Sequence, residues 1–232
     1  MITAMFTAAG DFEHDVVDAT VIFVDMAGFT AFTEAHGDHR AAQLAETFAT
    51  LATRALGPGD ELIKAIGDAV LTTSENTTAA LAFLRRLHDE TRGIDGFPLL
   101  RAGISAGSVV KRLGDVYGST VNTAARLVDV AEAGQVVVDG VAASALREAD
   151  LIASRRLGPL ALRNLGSPVE AFALDVGTRH RVHVDPICRM HVATNGSQLA
   201  TVHQGASYRF CSAACQRRFD QICQSWAPSF SV

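Results

Sequence analysis

Val21-Ile22-Phe23-Val24, closed by Asp25, decides how the first two thirds of the chain are read. A β-branched and aromatic run of this kind predicts a buried strand, with the acid at its end. Before it, residues 1–17 show no period and read as a lead-in. After it, residues 38–56 place Leu44, Phe48, Leu51 and Ala55 at spacings of three and four, the signature of an amphipathic helix. Gly57-Pro58-Gly59 ends that helix. Two short apolar runs, 61–66 and 69–73, meet at Gly67-Asp68 and predict a β-hairpin with that pair at its tip. Asn76 caps a helix reaching about Thr91, with Leu81, Leu84 and Leu87 on one face. A strand over 99–110 follows, weakened at Gly103 and Gly107. Next come a turn and short strand from Gly114-Asp115, and a helix from about Thr120. Residues 135–138 read as a strand, 141–148 as a helix and 151–176 as two closing strands. The order predicts an α+β fold, a ferredoxin-like βαββαβ sheet with its helices on one face.

The 232 residues allow one domain with an appendage, or two small domains. At 48% apolar and 19% charged, the chain has material for a core and is not a disordered polymer. The net charge of −5 argues against a general nucleic-acid binder. No apolar run approaches the roughly 18 residues of a membrane helix. No Lys or Arg precedes Arg40, so the basic start of a secretory signal is missing. These features predict a cytoplasmic protein with neither a membrane nor a nucleic acid as partner. All four cysteines, Cys188, Cys211, Cys215 and Cys223, fall in the last fifth of the chain. Residues 179–232 hold six Arg and only two acids, which reverses the charge balance upstream. The expected division is therefore a lead-in over 1–17, a first domain over 18–176, a linker over 177–182 and a small cysteine-rich domain over 183–232.

Asp25 ends a buried strand and Asp68 sits at a hairpin tip. If the hairpin pairs with the first strand, the two carboxylates meet at one edge of the sheet, with no obvious cation between them. Such a pair requires a positive charge, or one member keeps its proton. Oxygen ligands suit Mg²⁺ or Mn²⁺. Taken singly, each acid also reads as an ordinary solvated strand-end or turn aspartate. Asn122 and Arg126 lie four apart, one turn on a shared helix face, beside the small Ala124 and Ala125. An amide next to a guanidinium suits a phosphorylated ligand, and equally an exposed polar face.

Together, Val24-Asp25-Met26-Ala27-Gly28-Phe29-Thr30, Lys64-Ala65-Ile66-Gly67-Asp68 and the stretch Gly114-Asp115-Val116-Tyr117-Gly118-Ser119-Thr120-Val121-Asn122-Thr123-Ala124-Ala125-Arg126-Leu127 resemble the class III adenylyl/guanylyl cyclase catalytic domain. The resemblance covers roughly residues 18–176, and the short segment between Val110 and Asp115 places it with the bacterial, short-arm type. It implies that Asp25 and Asp68 hold two Mg²⁺ or Mn²⁺ ions per active site, with the Met26 carbonyl as a further ligand. It implies that Lys64 and Asp115 read the purine, Asn122 orients the ribose and Arg126 stabilises the phosphate in the transition state. An acceptor at Asp115 and a donor at Lys64 complement the Watson–Crick edge of adenine and mismatch that of guanine. The expected activity is an adenylate cyclase converting ATP to 3′,5′-cyclic AMP and pyrophosphate. A guanylate or relaxed-specificity cyclase is the alternative, and a silent, metal-handling protein on the same fold is a second. The resemblance also implies a homodimer whose active sites form at the interface, and a monomer that is inactive.

His183-Val184-Asp185-Pro186-Ile187-Cys188-Arg189-Met190 and Tyr208-Arg209-Phe210-Cys211-Ser212-Ala213-Ala214-Cys215 give the pattern C-x22-C-x3-C, which resembles a YHS (TRASH-like) metal-binding domain. Cys211 and Cys215 at the start of a short helix can face one ion, and Cys188 supplies a third sulfur from a turn. These soft ligands favour Zn²⁺ or Cu⁺. His191, His203 and Cys223 are equal candidates for a fourth. Such modules usually carry Gly where this chain has Arg189. His14, His36, His39, His88 and His180 read as surface or capping residues. With only about 17 residues ahead of the catalytic domain, the tail is the expected regulator, sensing a metal or redox state.

Overall fold

Ile22 and Val24 are buried in one core, while Ala19 and Val21 are buried in another. Alternate residues of a strand point to opposite faces, so the first strand is apolar on both and needs cover on both. The computed structural model supplies it. The structure describes residues 15–94, 96–174, 176, 183–192 and 199–225. The expected linker at 177–182, most of the expected lead-in, and His14 and His180 lie outside the described residues.

The strands of the main sheet are β1 (Asp15–Met26), β2 (Asp60–Ile66), β3 (Ala69–Ser74), β4 (Leu100–Arg112), β5 (Asp115–Tyr117), β6 (Val136–Asp139), β7 (Ser154–Leu160) and β8 (Val169–Leu174). They form one eight-stranded sheet in the order β2-β3-β1-β4-β6-β8-β7, with β5 added to β4. The β2–β3 hairpin pairs antiparallel with β1, as expected, and β4 pairs antiparallel with β1 over its length. β1 begins at Asp15, inside the expected lead-in, because Asp15–Val17 still find partners on β4.

The helices are α1 (Phe29–His36), α2 (Asp38–Ala55), α3 (Thr77–Arg92), α4 (Ser119–Val130) and α5 (Gly140–Glu148). Asn76 caps α3, its side-chain oxygen accepting from the Ala79 N–H at 2.9 Å. Asp139 caps α5 in the same way and also accepts from the Ser105 hydroxyl at 2.6 Å. The helices do not share one face. Phe48, Leu81, Leu87 and Leu146 of α2, α3 and α5 pack with Ile22 and Val24. Ala124 of α4 packs with Ala19 and Val21 on the other face. The two-sided apolarity of β1 makes that second layer necessary.

A Cβ built on Gly103 of β4 would lie 2.3 Å from the Ala124 carbonyl oxygen and 2.4 Å from the Val128 nitrogen. The α4 backbone therefore rests directly on β4 at the point that looked like a weakness in the strand.

The C-terminal unit contains two ribbons, β9 (His183–Val184) with β10 (His191–Val192) and β11 (Ala200–His203) with β12 (Ala206–Arg209), and helix α6 (Ala213–Ser225). Its core, Cys188, Phe210, Cys215 and Phe219, is shared with Phe32 of α1 and Ala41 of α2. Among the described residues, no helix is long and apolar enough to cross a membrane.

Gly103→Ala is expected to destabilise the protein by about 2–3 kcal/mol, because the new methyl meets backbone that cannot step aside. Gly93→Ala, where a Cβ would have no neighbour closer than 4.0 Å, is expected to stay within about 0.5 kcal/mol of the parent. Urea unfolding of both variants measures the difference.

Candidate functional site

Antiparallel pairing sets Asp25 opposite Ala69 of β3 and Arg101 of β4. Asp68 precedes Ala69 at the hairpin tip, and the Met26 N–H donates to its backbone carbonyl at 3.1 Å. The Asp68 carboxyl is thereby brought close enough to Asp25 for its charge to be felt there. Burial pushes the Asp25 carboxyl up to about 6, the Arg101 guanidinium opposes the rise, and the Asp68 charge adds to it. Arg101 donates from Nε to Asp25 Oδ2 at 2.8 Å and from Nη2 to the same oxygen. Sequence reading left this pair without a cation. Arg101 supplies it, and the only sequence signal was a lone Arg inside an apolar run.

Lys64 of β2 donates to Asp115 Oδ2 of β5 at 2.6 Å, across 51 residues of sequence. The Val116 N–H donates to the other Asp115 oxygen at 2.8 Å. The Lys64 hydrogen bond, then that N–H, hold Asp115 below the usual carboxylate range. Both side chains keep about a third of their surface, 39% and 26%, open to approach. Asn122 is exposed on the first half of α4. Arg126, one turn later, donates to Asp129 of the same helix at 2.7 Å. The chain thus joins Asp25 to Asp68 and Lys64 to Asp115. Among the described residues, Arg126 contacts neither pair.

The second group lies in the C-terminal unit. Cys188 Sγ is 3.4 Å from Cys211 Sγ, and Cys211 Sγ is 3.7 Å from Cys215 Sγ. His36, read from sequence as a surface or capping residue, belongs to this cluster: its Nε2 lies 3.6 Å from Cys211 Sγ and 3.8 Å from Cys215 Sγ. Of the other fourth-ligand candidates, His203 instead meets the Phe219 ring edge-on at 6.1 Å. Cys223 packs beside the apolar core, outside the cluster. The side chain of His191 lies outside the described residues. The Cys211 interaction and burial push the Cys188 thiol up, the same interaction draws Cys211 down, and burial pushes Cys215 up to about 12. Three thiols in contact thus compete for protons, and a cation resolves that competition.

Fully buried Asp185 builds this knuckle. One carboxylate oxygen accepts from the Ile187 and Cys188 N–H groups at 2.8 and 3.3 Å, and the other from the Cys211 N–H at 2.8 Å. Arg189 takes φ +63°, the left-handed conformation that glycine would enter without strain.

A mixed sheet carrying a carboxylate pair at the end of β1, with an Asn/Arg face on a helix of the opposite layer, is the framework of a nucleotide cyclase. The chain belongs to that family: residues 13–175 match the adenylate and guanylate cyclase catalytic domain, and residues 183–222 match the YHS domain. An adenylate cyclase of Streptomyces griseus is 37% identical over 137 residues, 58% of this chain and 34% of that protein. A pH-sensitive adenylate cyclase of Mycobacterium tuberculosis is 35% identical over 161 residues, 68% of this chain and 41% of that one. The chain thus spans well under half the length of these relatives. Its fold is that of the adenylyl cyclase CyaB from P. aeruginosa, with a TM-score of 0.60 and 22% identity over 70% of this chain and 96% of the other. The guanylate cyclase domain of RhGC from Catenaria anguillulae has a TM-score of 0.56 and 17% identity over 69% of this chain and 97% of the other. The sheet accordingly does not choose the base.

Asp185→Ala removes the acceptor for three N–H groups at once. The C-terminal unit is expected to lose about 3 kcal/mol or more. Thermal unfolding of the variant should show an early transition absent from the parent; a single unshifted transition would contradict the role given to Asp185.

Proposed function

We propose that this protein is an adenylate cyclase, forming 3′,5′-cyclic AMP and pyrophosphate from ATP. The observation that carries the reading is the placement of Asp25, at the end of β1, beside Asp68, at the β2–β3 hairpin tip, fixed by strand pairing and by the Met26 N–H donating to the Asp68 carbonyl at 3.1 Å; burial and like charge there call for cations. Membership of the cyclase family supports it, as do relatives named adenylate cyclase at 35–39% identity.

Asp25, Asp68 and the Met26 carbonyl are an oxygen-only donor set, which fits two Mg²⁺ or Mn²⁺ ions. Bound there, such ions would acidify the ribose 3′-hydroxyl and neutralise phosphate oxygens. The remaining work falls to side chains. Lys64 has three N–H donors, so it can keep Asp115 and still donate to a ring nitrogen of adenine. Asp115, held ionised, accepts from the adenine amino group. Guanine would set its carbonyl against Asp115 and its N–H against Lys64. Asn122 holds the ribose so that its 3′-oxygen lies in line with the bond to the leaving pyrophosphate. Arg126 stabilises the charge that grows on the α-phosphate, an effect worth several kcal/mol in a site shielded from water. Arg101 pairs with Asp25 in the chain alone; were a divalent cation to hold Asp25, the guanidinium would be available to phosphate oxygens.

Arg126 turns to Asp129 within its own chain, so the reading requires a second copy. In a two-fold dimer the carboxylate pair of one subunit meets Lys64, Asp115, Asn122 and Arg126 of the other, giving two equivalent sites. An ATP substrate and reduced thiols both fit a cytoplasmic location. The C-terminal cysteines, holding Zn²⁺ or Cu⁺, regulate the enzyme through metal or redox state.

Incubating the full chain with Mn²⁺ and equimolar ATP, GTP, CTP and UTP should yield cyclic AMP as the main product. Mainly cyclic GMP would overturn the assignment of Lys64 and Asp115. Asp68→Ala should abolish the product without altering the circular dichroism spectrum, and Arg126→Ala should slow it by at least about 100-fold. An active Asp68→Ala protein would contradict the metal role.

A further inference from the structure

The four ligand atoms of the cysteine cluster come from three distant segments. Cys188 lies in the turn after β9, Cys211 and Cys215 flank the start of α6, and His36 ends α1 of the cyclase domain. A tetrahedral ion with about 2.3 Å to sulfur and 2.0–2.1 Å to nitrogen requires ligand separations of about 3.8 Å between sulfurs and about 3.5 Å from sulfur to nitrogen. Two of the three Sγ–Sγ separations, 3.4 and 3.7 Å, and two of the three Nε2–Sγ separations, 3.6 and 3.8 Å, lie near those values. All four atoms lie within 4.8 Å of one another. The His36 ring is steadied against Phe32, with centroids 4.6 Å apart.

The segment bearing Cys188 also presses on the catalytic layer. Gly28 separates Asp25-Met26-Ala27 from α1, with φ +82°, and a Cβ there would lie 2.4 Å from Arg189 Cγ and 2.7 Å from Arg189 Cβ. Met190 bridges to Pro98, three residues before Arg101. The neighbouring Leu99 carbonyl accepts from the Ala27 N–H at 2.8 Å. Arg218 of α6 pairs with Glu34 of α1 at 2.6 Å. The C-terminal unit therefore touches the Met26–Phe29 turn, α1 and the segment leading to Arg101.

We propose that His36 is the fourth ligand of a tetrahedral Zn²⁺ site with Cys188, Cys211 and Cys215, and that the ion clasps the C-terminal unit onto the turn that follows Asp25 and Met26. Three thiolates and one imidazole form a closed structural zinc set, in which zinc retains every ligand. Cu⁺ bound by the sulfurs alone would leave His36, and hence the cyclase domain, outside the site. The clasp reduces the freedom of the Met26–Phe29 turn. Resting on the cyclase reading, it also predicts that zinc lowers the Mn²⁺ concentration needed for half-maximal rate by at least about 5-fold, the lower range of coupling between linked sites.

The full chain, loaded with Co²⁺ in place of zinc, should show thiolate charge-transfer and tetrahedral d–d absorption. His36→Ala should shift the d–d bands and weaken Zn²⁺ binding by at least about 10-fold, and added imidazole should restore both. Hydrogen exchange of the Phe29–His36 amides should slow on adding Zn²⁺ in the parent, and not in His36→Ala. A Co²⁺ spectrum and Zn²⁺ affinity indifferent to His36→Ala would overturn the ligand assignment. Exchange indifferent to zinc would overturn the clasp. The spectra and exchange are read without nucleotide, so a protein that makes no cyclic nucleotide but passes both tests refutes the cyclase reading and leaves the clasp standing. A Mn²⁺ requirement in active enzyme that ignores zinc would overturn the coupling.

Discussion

Two carboxylates held together by strand pairing are the constraint from which the rest of this structure follows. The β1–β3 register sets Asp25 opposite Ala69, next to Asp68, and β1 is held by buried side chains on both faces. Like charges in that setting demand cations. In the chain alone Arg101 answers from β4. In the proposed site the same demand would be met by divalent ions. The features that keep β1 in place, from Ile22 and Val24 under three helices to α4 seated on Gly103, are therefore part of the chemistry as well as of the fold.

Much of this was legible in the sequence, where local chemistry sets local structure. The Val21–Val24 run, the Asn76 cap and the Gly67-Asp68 hairpin each depend on neighbouring residues, and each stands where expected. Features set by distant partners were not legible. Arg101 gains its role from a register 76 residues long in sequence. The short α1 has no local signature, because Phe32 finds its core in a unit more than 150 residues away. His36 meets Cys211 across 175 residues, and no spacing rule reaches that far. The placement of helices on both faces was implicit in the alternation of β1, since both of its residue sets are apolar.

The same long reach gives the C-terminal unit its meaning. It is small and shares its core with α1 and α2, so it is built as a cover for that corner of the cyclase domain. Arg189 fits this picture. A glycine at its φ of +63° would be easier for the backbone, but its stem is what packs on Gly28. A local strain of about 1–2 kcal/mol is exchanged for contact with the turn that follows Asp25.

The central claim is that catalytic groups from two copies complete one site. Its most direct test is subunit complementation between Asp25→Asn and Arg126→Ala proteins, each inactive as a homodimer. In a mixed dimer both lesions fall in one site and the other is intact, so equal mixing and re-association should restore about a quarter of the parent rate. Mixed dimers that form, as shown by distinct affinity tags on the two subunits, and yet stay silent would contradict the account.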